Sequence, residues 1–467
     1  MRTKSALSER QKYRSGALPS ALIAHHGRGV IFDVRSRRSA FMSQEKPQTS
    51  AVSFEADRVV GRYKAFPPSI SGLSTAEIRE RGWNALTGDF SLPVLVLKEA
   101  ELNHNILRMA GWCEQRGVLL APHAKTTMSP QLIRLQMEAG AWAVTVATVS
   151  QARVLAGCGI ERIIIANQVH GKADLEWICE FRRQDKAREV YVLVDSLAGV
   201  QLMNEALSQM SAPAEPLPVL LELGYTGGRA GCRSTQDALT VAAGVASSSY
   251  LELVGIEGFE GLVQGESAMR KLIAARAFLG EMAGTLHALH IAGLLPPQPM
   301  VTSGGSAYFD EVVRQFVGEW HGPAIRVVLR SGCYVTHDHG LYENTSPLRD
   351  DVDPFQPALE VWAQVLSVPA PGVAILGCGR RDVPYDAGMP VPLVVRREGS
   401  ERQFCNAQVT ALNDQHLFLS FSAEDSIAVG ELVCLGISHP CSAFDRWALI
   451  PLVNASYGVV DAVQTYF

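Results

Sequence analysis

The chain passes from a short apolar run into a polar turn within the stretch Val118-Leu119-Leu120-Ala121-Pro122-His123-Ala124-Lys125-Thr126. Ser129-Pro130 then opens a segment of helical character. An apolar run of this length is typical of a strand buried in a parallel sheet, which places Lys125 at its carboxyl end. A lysine there directs its amine toward the open end of the sheet. A neutral amine in such a place can form a Schiff base with an aldehyde cofactor. The stretch alone is equally compatible with an exposed loop lysine.

Eight short apolar runs, counted from this one, alternate with segments long enough for crossover helices. The runs are Val118–Ala121, Ala143–Ala147, Arg162–Ala166, Val190–Val194, Val219–Leu223, Leu251–Ile256, Met300–Thr302 and Ile325–Leu329. Continuous apolar strands separated by helices indicate a parallel sheet that is buried on both faces. Eight such units predict a (β/α)8 barrel over residues 100–338. A doubly wound open sheet is the alternative.

The sequence pattern changes after Gly340, where β-rich runs lie between turns rich in Gly, Pro, Asn and Asp. These runs are Glu360–Leu366, Val391–Arg396, Ala407–Leu412, Leu417–Phe421 and Leu432–Leu435. They predict a separate β domain over residues 340–467. The strand-like segment Pro93–Leu97 is expected to pair with this domain, so residues 90–98 are assigned to it.

Composition excludes several classes of protein. Hydrophobic residues make up 47% of the chain and charged residues 19%, as in ordinary globular proteins. The formal net charge of -5 argues against nucleic acid as the main partner. No apolar run reaches about 18 residues, so no membrane span is expected. The nine cysteines are scattered without a CxxC pair, which favours a cytoplasmic location over a disulfide framework.

The first 41 residues differ from the rest of the chain because nine basic residues face only Glu9 and Asp33. His25-His26 and Arg28 interrupt the one apolar stretch, which argues against a secretory signal. The excess of positive charge is compatible with a targeting or nucleic-acid-binding arm. We favour a poorly ordered extension over residues 1–60.

Several candidate site residues follow predicted barrel strands, and the active site of such a barrel lies at the carboxyl ends of its strands. Beyond His123 and Lys125, they are Arg229 after the fifth run, Ser303, Gly304, Gly305 and Ser306 after the seventh, and Arg330, Gly332, Cys333 and Tyr334 after the eighth. The loops after strands seven and eight are the usual phosphate site of this barrel. A lysine and a phosphate site together suggest pyridoxal 5'-phosphate. Arg229 is a candidate for an anionic group of cofactor or substrate.

His439-Pro440-Cys441 forms a second constellation, in the predicted β domain. Imidazole and thiolate two positions apart suit a divalent ion such as zinc, with water or substrate in the remaining positions. His337-Asp338-His339, just past the eighth run, is a rival, since its two imidazoles would share a face of an extended segment. Spacing alone does not separate the two.

With these motifs in order, the sequence resembles the D-serine dehydratase and D-threonine aldolase family. Its members are fold type III pyridoxal phosphate enzymes, with an alanine-racemase-like barrel. The resemblance rests on the Pro122–Thr126 motif, on the glycine-rich loops named above and on His439-Pro440-Cys441, and it covers roughly residues 90 to 467. It implies a homodimer, zinc on His439 and Cys441, and for Arg330 the place of the arginine that faces the pyridine ring in racemases. The chain looks closer still to bacterial amino acid deaminases.

Within this family, a His-x-Cys pair resembles the dehydratases, whereas the aldolases typically carry His-x-Asp. The resemblance therefore implies a dehydratase that removes ammonia from a β-hydroxy D-amino acid such as D-serine and leaves a keto acid. A D-threonine aldolase, which gives glycine and an aldehyde, is the alternative. A racemase would need a second acid or base that the sequence does not identify. A non-catalytic pyridoxal phosphate carrier would leave the β domain unexplained.

Overall fold

The computed structural model of the protein describes residues 63–210 and 215–467, so the predicted extension over residues 1–60 lies outside the described residues. A turn of 3-10 helix at Pro68–Ile70 leads to helix α1 (Thr75–Glu80), strand β1 (Val94–Lys98) and helix α2 (Glu99–Arg116). The side chain of Ser74 accepts the backbone N–H of Glu77, and the Glu77 carboxylate accepts that of Ser74, which together cap α1.

Eight parallel strands then form a single curled sheet. They are β2 (Leu119–Leu120), β3 (Val144–Val146), β4 (Arg162–Gln168), β5 (Glu189–Val194), β6 (Leu217–Leu223), β7 (Leu251–Gly258), β8 (Met300–Ser303) and β9 (Arg326–Leu329). The sheet order is β2-β9-β8-β7-β6-β5-β4-β3. A parallel bridge between His123 and Thr145 joins the two end strands, and the Thr145 N–H donates to Pro122 O at 2.9 Å. The predicted barrel is therefore confirmed.

A helix follows each of the first seven barrel strands. The helices are α3 (Pro130–Glu138), α4 (Val149–Gly157), α5 (Lys172–Gln184), α6 (Leu197–Ser208), α7 (Thr235–Ala246), α8 (Ala268–Ile291) and α9 (Phe309–Val313), the last continued by a π-helical turn at Arg314–Gly318. Ser and Thr side chains cap the first turns of α4, α6, α7 and α8. No helix in the described part of the chain is both long and apolar enough to cross a membrane.

Side chains alternate between two cores along the barrel strands. In β5, Val190, Val192 and Val194 pack with the main core, which the helices share. Tyr191 and Leu193 belong to a second buried cluster together with residues of other strands, among them Ile164 and Met300. Because successive side chains of a strand point to opposite faces, the second cluster fills the inside of the barrel. The continuous apolar runs follow from burial on both faces.

The remaining strands form an antiparallel β domain. They are β10 (Leu359–Ala370), β11 (Val373–Leu376), β12 (Val391–Arg397), β13 (Ser400–Gln403), β14 (Ala407–Leu412), β15 (Leu417–Phe421), β16 (Leu432–Gly436), β17 (Leu449–Val453) and β18 (Val459–Gln464), with short helices α10 (Leu341–Thr345) and α11 (Cys441–Phe444). Strand β1 pairs with β10 and β17, and so lies in this sheet rather than in the barrel. The predicted combination of a barrel with a β domain is confirmed.

Candidate functional site

A cavity opens at the carboxyl ends of the barrel strands. It encloses about 630 Å³, part of it open to solvent, which is within the range of small-molecule sites. The residues that line it are His123, Lys125, Ala147, Ala166, Asn167, Arg229, Phe259, Gly304, Gly305 and Arg330. Six of these belong to the residue set that the sequence predicts for a cofactor.

Lys125 lies in a turn of 3-10 helix, Ala124–Thr126, directly after β2. Its side chain is exposed to the cavity. The preceding residue of the barrel wall, His123, has an Nδ1 atom without a hydrogen-bond partner among the described residues. Burial, together with the charges of Lys125 and Arg330, holds the pKa of His123 well below its usual range. The cavity thus presents an amine beside a neutral imidazole.

Arg330 follows β9 and is buried beneath the cavity. Its Nη2 donates to the carboxylate of Glu257 and, at 3.1 Å, to Gly258 O, while its Nε has no partner in the described structure. Burial raises the pKa of Glu257 to about 7, against the opposing effect of the Arg330 charge. The floor of the cavity therefore carries a fixed cation with one spare donor.

The glycine-rich loop after β8 is engaged by a carboxylate that the sequence analysis missed. Glu260 is fully buried, and its oxygens accept from Ser303 Oγ at 2.7 Å, Gly304 N at 3.2 Å and Gly305 N at 2.7 Å. The donors that the sequence predicts for a cofactor phosphate are therefore engaged by an internal carboxylate. Ser306, which is half-buried, lies just beyond these three donors.

Arg229 lies in the exposed loop after β6, with its guanidinium 5.7 Å from the centre of the Phe259 ring. The loop is fixed from behind, where the Arg233 Nη1 donates to Ala230 O at 2.7 Å and Gly231 N donates to Asp195 Oδ2 at 3.1 Å. This arrangement places a cation at the rim of the cavity, where an anionic group of a ligand would pass.

Of the residues after β9, Gly332 and Tyr334 have packing roles, whereas Cys333 lies at a second site. A Cβ atom on Gly332 would lie 2.6 Å from His123 O, so only glycine allows this close approach to the lysine turn. Tyr334 is buried away from the cavity lining and accepts a hydrogen bond from Gln136 Nε2 at 2.8 Å. Cys333 is also buried, and its sulfur faces the β domain, 3.4 Å from Cys441 Sγ.

Cys333, His439 and Cys441 come together at the junction of the barrel and the β domain. One donor atom from each residue lies within 4.8 Å of the other two. The His439 ring is oriented by Asp386, whose Oδ2 lies 2.6 Å from Nδ1. Thr126, next to Lys125, has its hydroxyl oxygen 3.4 Å from Cys441 Sγ. This cluster therefore adjoins the lysine turn.

Hydrogen bonds within this cluster shift the pKa values of its members in different directions. The Cys333 hydrogen bond and the His439 imidazole hold the pKa of Cys441 well below its usual range. The same Cys441 contact and burial raise the pKa of Cys333 well above it. Cys441 and then Asp386 raise the pKa of His439 to about 9. The three side chains therefore form one hydrogen-bonded group, in which the pKa of Cys441 depends on both other members and the pKa of each of those depends on Cys441.

The structure does not bring the rival segment His337-Asp338-His339 together in the same way. His337 Nε2 lies 3.2 Å from Glu343 Oε2, and its φ of +49° breaks the extended geometry that a shared face requires. Asp338 Oδ1 accepts the N–H groups of Gly340 at 2.8 Å and Tyr342 at 2.9 Å, which starts α10. These contacts give the segment a structural role.

Two family models match the chain. The model "Alanine racemase, N-terminal domain" matches residues 97–307, and the model "Putative serine dehydratase domain" matches residues 358–453. The first therefore matches most of the barrel and the second most of the β domain.

Individual proteins match across both regions. A D-threonine aldolase of Arthrobacter sp is 28% identical over 332 residues, 69% of this chain and 78% of that protein. The structure of the D-threonine aldolase from Filomicrobium marinum is 26% identical with a TM-score of 0.67, covering 81% of this chain and 95% of that one. A D-threo-3-hydroxyaspartate dehydratase, solved metal-free with one cysteine replaced by alanine, is 22% identical with a TM-score of 0.63, covering 80% of this chain and 97% of that one.

Proposed function

We propose that the chain is a metal-dependent lyase of β-hydroxy D-amino acids. It joins an alanine racemase N-terminal domain to a D-serine dehydratase-like domain. It belongs to the D-threonine aldolase and D-threo-3-hydroxyaspartate dehydratase family of fold type III pyridoxal phosphate enzymes. The observation that carries the proposal is the contact between the two sites. Lys125 faces the cavity, and Thr126, the next residue, contacts Cys441. Cys441 forms the metal-type cluster together with Cys333 and His439.

The residues of the cavity fit pyridoxal phosphate. Lys125 would hold its aldehyde carbon, and Arg330, which also lines the cavity, has a spare Nε donor that would suit a polar atom of the cofactor. The unpartnered Nδ1 of His123 is a further buried polar atom on the same wall. Gly304, Gly305 and Ser306 would be the residues nearest to the phosphate, and the N–H groups of the first two donate to Glu260. When bound, the cofactor supplies an electron sink for the electron pair released at the substrate Cα.

The residues of the cluster fit a divalent metal, because an imidazole nitrogen and thiolate sulfur are preferred ligands of zinc. His439 and Cys441 would hold it, with Asp386 fixing the tautomer of the imidazole. Such an ion supplies Lewis acidity to the β-hydroxyl of a substrate.

The protein's own groups have separate tasks in this proposal. Lys125, once free of the cofactor, is the base placed to take a proton from the substrate. His123, whose pKa is held well below its usual range, would orient the cofactor without adding a positive charge to the cavity. Arg229 at the rim attracts the substrate carboxylate. Phe259 covers part of the cavity wall with an apolar ring, which limits the access of water.

Two reactions use this geometry, and we place cleavage of the Cα–Cβ bond first. The aldolase of Arthrobacter sp aligns over 332 residues and the Filomicrobium marinum aldolase over 81% of this chain, which favours release of glycine and an aldehyde. The His-x-Cys pair favoured dehydration, whereas these two alignments give more support to the aldolase. Dehydration is the second candidate, because a D-threo-3-hydroxyaspartate dehydratase of Delftia sp. is also 28% identical, although over only 152 residues.

Product analysis tests the proposal. The purified protein, supplied with pyridoxal phosphate and zinc, is incubated with D-threonine, D-serine and D-threo-3-hydroxyaspartate. Glycine with an aldehyde supports the aldolase, and keto acid with ammonia supports the dehydratase. Absence of both product pairs with all three substrates would contradict a lyase of this class.

A substitution of the lysine provides the control. Lys125→Ala should lose both turnover and the visible absorbance of covalently held cofactor. Lys172→Ala, on the exposed face of α5, should keep both. Retention of the absorbance by Lys125→Ala would remove Lys125 from the proposal.

A further inference from the structure

Cys333 belongs by sequence to the barrel but by position to the metal-type cluster. We propose that Cys333 is a third metal ligand, which makes the site a Cys2His zinc site with one open coordination position. The inference rests on the metal of the proposed function and deepens it, since it fixes the number of protein ligands and the identity of the ion. The residues concerned are Cys333, His439 and Cys441.

The distances suit a tetrahedral ion. Zinc binds sulfur at about 2.3 Å and imidazole nitrogen at about 2.0–2.1 Å. Two sulfurs on one tetrahedral zinc are therefore about 3.8 Å apart. The sulfurs of Cys333 and Cys441 lie 3.4 Å apart, and all three donor atoms fall within 4.8 Å. The two sulfurs therefore need to move apart by only about 0.4 Å to share a tetrahedral zinc.

Three separate elements fix the donors. Cys333 begins the 3-10 turn after β9, Cys441 begins α11, and His439 lies in the loop between β16 and α11. The His439 Nδ1 is engaged by Asp386, and Asp386 also accepts from Ser442 Oγ at 3.0 Å. This leaves the other ring nitrogen for an ion. A carboxylate on the far side of a histidine is the usual support of a metal ligand.

The surroundings of Cys333 differ from those of a packing cysteine. A buried cysteine ordinarily acts as a small apolar side chain. The Cys333 sulfur instead meets Cys441 Sγ at 3.4 Å and the Thr126 hydroxyl at 3.8 Å, and it is hydrogen-bonded to Tyr342. The Cys333 sulfur is therefore directed at Cys441 and at polar groups rather than into an apolar core.

Two thiolates also determine the ion and its free positions. Soft sulfur ligands select zinc over manganese and magnesium, which prefer oxygen. Two thiolates balance the two positive charges of the ion at this buried junction. Three protein ligands leave one position of a tetrahedral zinc for water or a substrate oxygen, as in catalytic sites. A substrate hydroxyl would therefore bind there by displacing a single water.

X-ray absorption at the zinc edge of the full-length, cofactor-loaded protein tests the inference directly. We expect two sulfur neighbours at about 2.3 Å. Cys333→Ser should reduce the sulfur count to one and weaken zinc binding at least about tenfold, as loss of even a supporting group does. Cys378→Ala, a buried cysteine of the β domain outside the cluster, should keep two sulfurs and the original affinity.

The outcomes separate this inference from the proposed function. One sulfur in the unaltered protein, or an unchanged zinc spectrum in Cys333→Ser, overturns the third ligand and leaves the lyase proposal in place. Zinc that fails to bind the unaltered protein at all contradicts both the ligand set and the metal requirement. The sulfur count of the unaltered protein decides even if a Cys333 variant fails to fold.

Discussion

The Sγ of Cys441 lies 3.4 Å from the hydroxyl oxygen of Thr126, although 315 positions of sequence separate the two residues. Thr126 ends the turn that carries Lys125, and Cys441 opens α11 of the β domain. The C-terminal segment reinforces this junction, where the Tyr466 N–H donates to Met128 O at 3.0 Å. A change in the position of either segment is therefore expected to alter both sites.

Gly332→Ala should weaken cofactor and metal binding together. A Cβ at this position would lie 2.6 Å from His123 O and 2.8 Å from Thr126 Oγ1, so the turn that carries Cys333 would have to move away from the lysine turn. We expect at least about a tenfold loss in affinity for each, since misplaced supporting groups of metal sites have effects of that size. Equilibrium titrations with pyridoxal phosphate and with zinc measure the two effects separately.

Gly280→Ala is the matched control for that experiment. Gly280 lies on the exposed side of α8, and a Cβ there meets nothing within 4 Å. Alanine should stabilise the helix by up to about 1 kcal/mol and leave both affinities unchanged. Native affinities in Gly332→Ala would mean that the close approach of the two turns does not determine either site.

The barrel could be predicted because its strands carry their signal locally. Runs such as Val190–Val194 are apolar at every position, since alternate side chains enter the helix-facing core and the barrel interior. The place of Lys125 then followed from the fold. His439 and Cys441 were visible as a pair because two positions separate them.

The rest of the site depends on contacts between distant segments. Cys333 was predicted to bind the cofactor, yet its sulfur faces Cys441, 108 positions away, which local spacing does not encode. Glu260 was missed, although an acidic residue two positions after the end of a buried strand could have marked it. The orienting role of Asp386 required the loop before β12 to fold against His439.

Asp386→Asn should reduce zinc affinity by roughly 10–100-fold, the usual effect of losing a group that supports a ligand histidine. The Asp386 carboxylate lies 2.6 Å from His439 Nδ1 and fixes both the tautomer and the ring orientation. Competition against a chromophoric zinc chelator measures the change. Asp414→Asn, an exposed carboxylate of the same domain, should have no effect. An unchanged affinity in Asp386→Asn would show that packing alone orients the ring.

Glu260→Gln should destabilise the loop after β8. An amide presents one oxygen and one NH2 group, so it cannot accept from Ser303 Oγ, Gly304 N and Gly305 N together. A buried donor left unsatisfied costs about 1–3 kcal/mol, which should lower the thermal midpoint and weaken cofactor retention. Differential scanning fluorimetry with and without pyridoxal phosphate measures both.

Glu266→Gln serves as the control for Glu260, because Glu266 is an exposed residue six positions further on. Its thermal midpoint should match that of the unaltered protein. If Glu260→Gln behaves in the same way, the loop holds its shape without the carboxylate, and its donors are free to serve a phosphate.

The stability of the protein should fall between about pH 4.5 and pH 7 through Glu257. Burial raises the pKa of this carboxyl from its ordinary value to about 7, so in this interval the folded protein keeps a proton that the unfolded chain releases. The stabilisation is complete below the unfolded pKa and is lost as the pH rises through the folded pKa. The loss is on the order of 3 kcal/mol, at 1.36 kcal/mol for each pKa unit.

Glu257→Gln cannot titrate and should therefore lose less thermal stability than the unaltered protein between pH 5 and pH 8. The comparison of the two proteins cancels the other groups that titrate in this range. Glu252→Gln, an exposed position on the same strand β7, should keep the pH dependence of the unaltered protein. Equal slopes for Glu257→Gln and the unaltered protein would mean that Arg330 holds Glu257 ionised throughout, and that the cation beneath the cavity is neutralised at every pH at which the protein is folded.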